Sequence, residues 1–180
     1  MRRTCFVEAN LKNYQCPVEL VKKIKELESE GITIRKAKNS DKNAFIQYMK
    51  DDLWPQERQS GFANNFNQQC KNMIISVQKN KIAGALTGYE VNSKKISNYG
   101  GVGVLADYRN YGIGKLLLAK AMEECSKLGS TKMKLWTRPQ TADRFYNKLG
   151  FSVAKNYDVY AKEIPQDFIT EKWIARNRFL

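Results

Sequence analysis

The sequence predicts an α/β fold of the α+β type, in which a mixed, mostly antiparallel sheet contains one parallel pair of strands. A strand-like run from Tyr99 to Leu105 leads through a glycine-containing loop into a long helical pattern. A run with alternating apolar residues, Thr131 to Thr137, follows that helix, which predicts a strand–helix–strand crossover. Earlier in the chain, the short Lys79–Lys81 connection joins two strand-like runs and predicts an antiparallel hairpin.

The first half of the chain is predicted to supply three helices and three strands. Val18 to Glu30 is amphipathic and ends before Gly31, a residue typical of helix C-termini. A helix capped by Ser40 or Asp41 follows, with Phe45 and Tyr48 on its apolar side. The other predicted elements are a strand from Ile32 to Lys36, a helix from near Pro55 to Lys71, and strands at Met73 to Gln78 and Ile82 to Val91.

The second half of the chain contains the clearest helix, which is predicted from Gly112 to Leu128. Its apolar side carries Ile113, Leu116, Leu117, Met122 and Cys125 at helical spacing. The preceding strand, Ile96 to Leu105, contains Gly100, Gly101 and Gly103. Glycines weaken a strand, so they indicate close approach of backbone to another group, packing against a bulky neighbour, or a weak edge. A short helix from Thr141 to Leu149 and a strand from Phe151, which can pair with Tyr157 to Glu163, complete the prediction.

Composition is that of one globular domain without a membrane span. The chain has 180 residues, of which 42% are hydrophobic, and no apolar run approaches the roughly 18 residues that a span requires. Since the first residues also lack the apolar stretch of a signal peptide, we expect a cytoplasmic protein. The cysteines form no metal-binding or disulfide pattern, so we expect buried free thiols; they are Cys5, Cys16, Cys70 and Cys125. With no histidine in the chain, we expect no metal site and a proton donor or acceptor of another residue type.

The formal charge of +13 has two interpretations. Most of it is expected to be a solvated lysine-rich surface, but it also favours polyanionic ligands, from a phosphorylated cofactor to nucleic acid. A nucleic-acid-binding module is therefore an alternative, supported by a basic and aromatic C-terminal tail that contains Lys172, Trp173, Arg176, Arg178 and Phe179.

A phosphate-binding loop is predicted where the strand ending at Leu105 passes into the Gly112 helix. The segment Arg109-Asn110-Tyr111-Gly112-Ile113-Gly114 places glycines at a helix N-terminus, where exposed N–H groups and the helix dipole attract anions. This spacing is weak evidence on its own, because a glycine pair between a strand and a helix is often only a tight turn.

A second motif, Ala142-Asp143-Arg144-Phe145-Tyr146-Asn147-Lys148-Leu149-Gly150-Phe151, strengthens that interpretation. Together the two motifs resemble the acetyl-CoA signature of the GNAT superfamily of N-acetyltransferases. The resemblance runs from about Ile32 to Glu163 and implies the GNAT fold, with a splayed parallel strand pair that receives the pantetheine arm of acetyl-CoA. We accordingly predict one domain over residues 1–180, with a helical extension over 1–31, a core over 32–163 and a tail over 164–180.

The resemblance implies the residues that bind acetyl-CoA. The backbone N–H groups of Asn110 to Lys115 would bind the pyrophosphate, and Arg109 and Lys115 would add positive charge. The alternative for either of these two side chains is an ordinary surface cation. The predicted cofactor-binding residues are Val104, Arg109, Asn110, Tyr111, Gly112, Ile113, Gly114, Lys115, Arg144 and Lys148. One departure is Pro139, which replaces an asparagine of the family motif, so a side-chain contact to the cofactor is lost there.

The catalytic residues are predicted with less support from the sequence. Tyr146 matches the tyrosine that many GNAT enzymes place beside the sulfur as general acid; the alternative is a tyrosine that only packs. Glu90 is the candidate base, although an amine that arrives unprotonated needs none. Asp51, Asp52 and Trp54 are expected to contact the acceptor, since the resemblance puts their segment over its binding site; the alternative for Asp51 and Asp52 is that they are ordinary acids at a helix end.

The function expected from these residues is transfer of an acetyl group from acetyl-CoA to a primary amine of a small molecule, peptide or protein. The alternatives are the nucleic-acid-binding module and a regulator of the same fold that binds acyl-CoA without turnover. We expect a monomer or a homodimer, acetyl-CoA and an amine as partners, and no membrane association.

Overall fold

The computed structural model describes residues 4–52, 55–137 and 139–157, which fold into helices packed on two β-sheets. The strands are β1 (Thr4–Asn10), β2 (Ile32–Lys36), β3 (Met73–Gln78), β4 (Lys81–Thr87), β5 (Glu90–Val91), β6 (Ile96–Asn98), β7 (Gly101–Val104), β8 (Lys132–Thr137) and β9 (Ser152–Tyr157). The helices are α1 (Val18–Ser29), α2 (Lys42–Asp51), α3 (Gln56–Gln69), α4 (Ile113–Lys127) and the single turn α5 (Pro139–Thr141).

The strands form two connected sheets, which confirm the predicted fold class. One has the order β5-β6-β8-β1-β9 and the other the order β2-β3-β4-β7. Each recorded strand pair is antiparallel except β6 with β8, which is parallel. The crossover between these parallel strands contains α4, as the order of elements predicts.

The parallel pair diverges soon after it begins. β6 pairs with β8 at Ile96↔Lys132 and Ser97↔Met133, whereas β7 pairs with β4 on its other side. Only Tyr99 and Gly100 separate β6 from β7. The single strand predicted from Ile96 to Leu105 is therefore two strands, and its pairing with β8 ends at Ser97. This divergence is the predicted splayed pair.

The predicted helical extension over residues 1–31 is wrong for its first part. Thr4–Asn10 is β1, which lies between β8 and β9 and pairs antiparallel with both. Cys5, Val7 and Ala9 are buried in the main core, so the strand completes the sheet. The described partner of β9 is β1; of the predicted partner strand Tyr157 to Glu163, only Tyr157 lies within the described residues.

α4 carries the apolar stripe that the sequence predicts. Each of the five residues expected on its apolar side is at most 1% exposed, and they pack into the main core. The predicted strand Ile82 to Val91 is interrupted after Thr87, because Gly88 adopts a left-handed conformation with φ of +64°. All four cysteines are free; three are buried and Cys16 is half-buried.

Candidate active site

The loop before α4 has a backbone suited to binding an anion. Asn110 and Gly112 have φ of +71° and +78°, which turn the chain so that Gly112 caps the N-terminus of α4. The Tyr111 and Lys115 N–H groups bond within the loop, at 3.0 Å to the carbonyls of Arg109 and Gly112. Within the described chain, the N–H groups of Gly112, Ile113 and Gly114 have no recorded hydrogen-bond partner. These are donors that a helix N-terminus offers to a ligand.

The side chains of this loop have different surroundings. Ile113 is 1% exposed and belongs to the core, so only its backbone can reach a ligand. Arg109 is exposed, and its Nε donates a hydrogen bond of 3.2 Å to the carbonyl oxygen of Val104. Lys115 is half-buried, whereas Asn110 and Tyr111 are exposed.

The two glycines of the motif, Gly112 and Gly114, are required for different structural reasons. A Cβ on Gly112 would meet nothing within 4 Å, so the space beside this left-handed residue is open. A Cβ on Gly114 would lie 3.4 Å from Phe145 and 3.7 Å from Val104. Gly114 therefore allows the segment that contains Phe145 to pack against the start of α4.

Tyr146 lies at the end of a π-helical turn, Ala142–Tyr146, which follows α5. A π-helical turn of this kind is frequent at functional sites. Tyr146 is 7% exposed and its ring packs edge-on against Phe145 and Phe151, with centroids 5.0 and 5.4 Å apart. Its hydroxyl lies 2.5 Å from that of Tyr99. Burial raises the pKa of Tyr146, and the Tyr99 hydrogen bond opposes part of that rise. The phenol is therefore protonated at neutral pH.

The segment that contains Tyr146 also carries two basic residues of the second motif. Arg144 and Lys148 are exposed, four residues apart, on either side of Tyr146. The ring of Phe145, next to Arg144, would lie 3.4 Å from a Cβ on Gly114, so the segment lies close to the N-terminus of α4.

Asp52 lies against the glycine-bearing strand β7, just beyond the end of α2. Its Oδ2 accepts a hydrogen bond of 3.4 Å from the hydroxyl of Tyr48, whose pKa is raised by burial. A Cβ on Gly103 would lie 2.7 Å from the Tyr48 hydroxyl and 3.0 Å from Asp52 Oδ2. Gly103 is therefore a glycine because these side chains approach it, which is the packing alternative of the sequence analysis. Gly101 has open space where its Cβ would lie.

The other two predicted carboxylates, Asp51 and Glu90, lie on different elements. Asp51 is exposed; it accepts a hydrogen bond of 2.7 Å from Gln47 and lies 3.9 Å from Lys81 Nζ. Glu90 is half-buried in β5 and pairs with Asn98, the residue before Tyr99. It therefore lies near the divergence of the strands. Trp54 and the basic tail residues lie outside the described residues.

The structure adds two contacts that sequence reasoning missed. The Tyr48–Asp52 pair has the i, i+4 spacing of residues that meet on a helix face, and this spacing was the signal that could have revealed it. The Tyr99–Tyr146 pair joins residues 47 positions apart, for which a single sequence offers no signal.

Searches for other kinds of site give two negative findings. No helix in the described ranges is long and apolar enough to cross a membrane. Within those same ranges, no three or more histidine, cysteine, aspartate or glutamate side chains are grouped so that they could hold a metal ion.

Comparison with known proteins identifies the family. Residues 36–151 match the model of the Acetyltransferase (GNAT) family. The uncharacterized protein YyaT of Bacillus subtilis (strain 168) is 25% identical over 117 residues, which are 63% of this chain and 73% of that protein.

Solved structures share the fold at low sequence identity. A GCN5-related glucosamine N-acetyltransferase region of a fungal multi-domain GH3 beta-N-acetylglucosaminidase has a TM-score of 0.70 at 17% identity, over 86% of this chain and 20% of that chain. A GCN5-related N-acetyltransferase from Sphaerobacter thermophilus has a TM-score of 0.65 at 19% identity, over 87% of this chain and 50% of that chain. AAC(6')-Iy in complex with a bisubstrate analog has a TM-score of 0.60 at 18% identity, over 73% of this chain and 97% of that chain. This chain thus spans half or less of the first two. Since the family model covers more than half of the chain, the protein belongs to the acetyltransferase (GNAT) family.

Proposed function

We propose that this protein is an acetyl-CoA-dependent N-acetyltransferase that acts on a primary amine of a small molecule, peptide or protein. The observation that carries the proposal is the close approach of Phe145 to Gly114, where the ring would lie 3.4 Å from an added Cβ. It joins the N-terminus of α4, an anion-binding element, to the segment of Tyr146, a buried proton donor at the divergence of the strands.

The loop residues fit the phosphates of acetyl-CoA. The space beside Gly112 is open, and the adjacent N–H groups of Gly112, Ile113 and Gly114 are donors for a pyrophosphate. Arg109, Lys115, Arg144 and Lys148 would supply positive charge, with the Arg109 guanidinium already held at the end of β7 by the Val104 carbonyl. Acetyl-CoA supplies the acetyl group as a thioester.

The acceptor amine is proposed to bind on the Asp52 side of β7. The carboxylate of Asp52 would attract an ammonium group, and Asp51 and Trp54 belong to the same segment. Glu90 is proposed to take a proton from the amine through water, near the point where the strands separate.

The proposed reaction is a direct attack in a ternary complex. A bond forms between the amine nitrogen and the acetyl carbon while the bond from that carbon to sulfur breaks. Tyr146 donates its phenolic proton to the departing sulfur, so the products are an amide and free CoA. Its raised pKa keeps that proton in place until the sulfur leaves.

The proposal is tested by a screen of amines with the full-length protein. Diamines, amino sugars, amino acids, and peptides with free α-amino groups or lysines are incubated with acetyl-CoA. Release of free thiol is measured, and the acetylated product is identified by mass spectrometry. The proposal predicts at least one amine for which both signals appear in equal amounts.

Binding measurements separate failure of catalysis from failure of the site. Calorimetric binding of acetyl-CoA without turnover of any amine would indicate a regulator that binds acyl-CoA. Absence of binding would contradict the proposal altogether.

A further inference from the structure

The hydroxyl pair of Tyr99 and Tyr146 lies where the parallel strands diverge. Tyr99 directly follows β6, two residues after Ser97, which is the last residue paired with β8, and it packs against the main core. Tyr146 is the last residue of the π-helical turn Ala142–Tyr146. The 2.5 Å between the two oxygens is hydrogen-bonding distance, so one phenol donates to the other.

The direction of this hydrogen bond decides whether Tyr146 can act as an acid. Each phenol has one proton and can also accept a hydrogen bond. If Tyr146 donates to Tyr99, its proton is engaged and points away from a departing sulfur. If Tyr99 donates to Tyr146, the proton of Tyr146 is available, and the bond stabilises the phenolate that remains after the proton has been transferred.

We propose that Tyr99 is a positioning residue, which donates a hydrogen bond to the Tyr146 oxygen, fixes that hydroxyl at the divergence of the strands, and stabilises the phenolate after proton donation. This inference rests on the proposed function and deepens it. Tyr99 touches neither the acetyl group nor the amine in this assignment. It acts through Tyr146.

The proposed role of Tyr146 requires this direction. On geometry alone either hydroxyl could be the donor, but a Tyr146 proton that is engaged by Tyr99 could not pass to a departing sulfur. Burial raises the pKa of both groups, so both phenols are protonated before the reaction.

The surrounding packing holds both rings in place. Tyr146 is fixed by edge-on contacts with Phe145 and Phe151. Tyr99 belongs to a chain segment tied on both sides, since Asn98 pairs with Glu90 and the Gly100 N–H donates to the Thr87 carbonyl at 2.7 Å. Rigid support of this kind is what a positioned proton donor requires.

The test uses Tyr99→Phe, which removes one hydroxyl and keeps the ring. The protein is labelled with ¹³C at the tyrosine ζ position, and the Tyr146 signal is followed through an alkaline titration without substrate. Its midpoint is expected at higher pH in Tyr99→Phe than in the wild type. Tyr14→Phe is the matched control; the Tyr14 hydroxyl is also buried but has no hydrogen-bond partner among the described residues, and the Tyr146 midpoint should not move.

A double-mutant cycle tests the catalytic consequence. Tyr99→Phe is expected to lower kcat by roughly tenfold to a hundredfold, the range for losing a hydrogen bond to a charged group, with KM for acetyl-CoA unchanged. In the Tyr146→Phe background, the same substitution should have almost no further effect, because its target is gone.

Three outcomes would overturn the inference. They are an unchanged Tyr146 midpoint in Tyr99→Phe, a shifted midpoint with unchanged kcat, and an equal loss of kcat in both backgrounds. A wild-type protein without acetyl transfer would overturn the proposed function and, with it, the catalytic role, whereas the titration would still report the hydrogen bond. If Tyr99→Phe does not fold, 3-fluorotyrosine at position 99 keeps the shape and makes a stronger donor. The Tyr146 midpoint should then fall, and an unchanged or higher midpoint would contradict the inference.

Discussion

At the scale of single residues, Gly112 is the position where backbone conformation and ligand access coincide. Its φ of +78° disfavours any L side chain, and the space beside it is open. These facts separate two effects of a substitution. One is conformational strain, and the other is obstruction or repulsion of a phosphate.

Gly112→Asp is expected to abolish measurable acetyl-CoA binding while the protein stays folded. The carboxylate would bring negative charge to the N–H groups proposed to bind the pyrophosphate. Calorimetry measures the affinity, and circular dichroism the fold. Gly112→Asn is the matched control, since asparagine tolerates the same left-handed conformation without the charge. It should bind more tightly than the aspartate variant. Unchanged affinity in folded Gly112→Asp would reject the loop.

At the scale of elements, strand β7 and the end of α2 meet at Gly103. Gly103→Ala is expected to lower the free energy of unfolding by about 1–3 kcal/mol, because its Cβ overlaps the Tyr48 hydroxyl and Tyr48 is 1% exposed. Gly101→Ala, in the same strand with open space, should change stability by less than about 0.5 kcal/mol. Urea denaturation measures both. Equal effects of the two substitutions would show that the close approach of Tyr48 and Asp52 is not the reason that position 103 is a glycine.

The start of α2 is tied to β2 by an ion pair. Arg35 donates two hydrogen bonds of 2.8 Å to the Asp41 carboxylate, whose pKa is lowered chiefly by that contact. Asp41→Asn should cost about 1 kcal/mol near neutral pH. Since the lowered pKa belongs to the folded state, this cost should be full above about pH 3.9, where an unfolded aspartate titrates, and fade as pH falls through the native value.

A surface ion pair provides the control for that measurement. Glu26→Gln removes an exposed partner of Lys23 and should leave the free energy of unfolding nearly unchanged at all these pH values. A cost of Asp41→Asn that did not fade in acid would mean that the ion pair is not its cause.

At the scale of the whole molecule, β1 is an interior strand of the five-stranded sheet, although it lies outside the residues that the family model matches. Deletion of residues 1–10 should abolish cooperative unfolding, because it opens the sheet between β8 and β9 and removes buried Cys5 and Val7 from the core. Thermal denaturation followed by circular dichroism tests this.

A pair of valines gives a milder test of the same point. Val7→Ala, at 0% exposure, should cost about 2 kcal/mol, whereas Val18→Ala, at 82% exposure, should cost nothing measurable. If the variant that lacks residues 1–10 unfolds cooperatively at the wild-type temperature, the interior position of β1 in the sheet is contradicted.

How far the sequence predicts this molecule depends on the range of the interactions. α4 and the hairpin of β3 and β4 follow from periodicity and turn residues, which are local signals. β1 was missed because its pairing partners lie more than 120 residues away, and the alternation of Cys5, Val7 and Ala9 does not by itself say where a strand pairs.

The same distinction holds within the candidate site. The Gly112 loop is a local feature that was predicted from its own motif together with the Ala142–Phe151 motif, and its left-handed glycine agrees with that prediction. The surroundings of Tyr99 and Gly103 are set by tertiary contacts, with Tyr146 and with Tyr48 respectively. The sequence shows that a tyrosine and a glycine stand at these positions, but it does not show which residues they contact. The roles assigned to these residues stay predictions.

The central claim, that Tyr146 protonates the departing sulfur, is tested most directly by kcat for Tyr146→Phe with an accepted amine at saturating acetyl-CoA. The variant keeps the ring, and therefore the contacts with Phe145 and Phe151, but lacks the proton. We predict that kcat falls roughly tenfold to a thousandfold while KM for acetyl-CoA is little changed. An unaltered kcat, with the chemical step shown to limit the rate, would contradict the claim and leave Tyr146 as a packing residue.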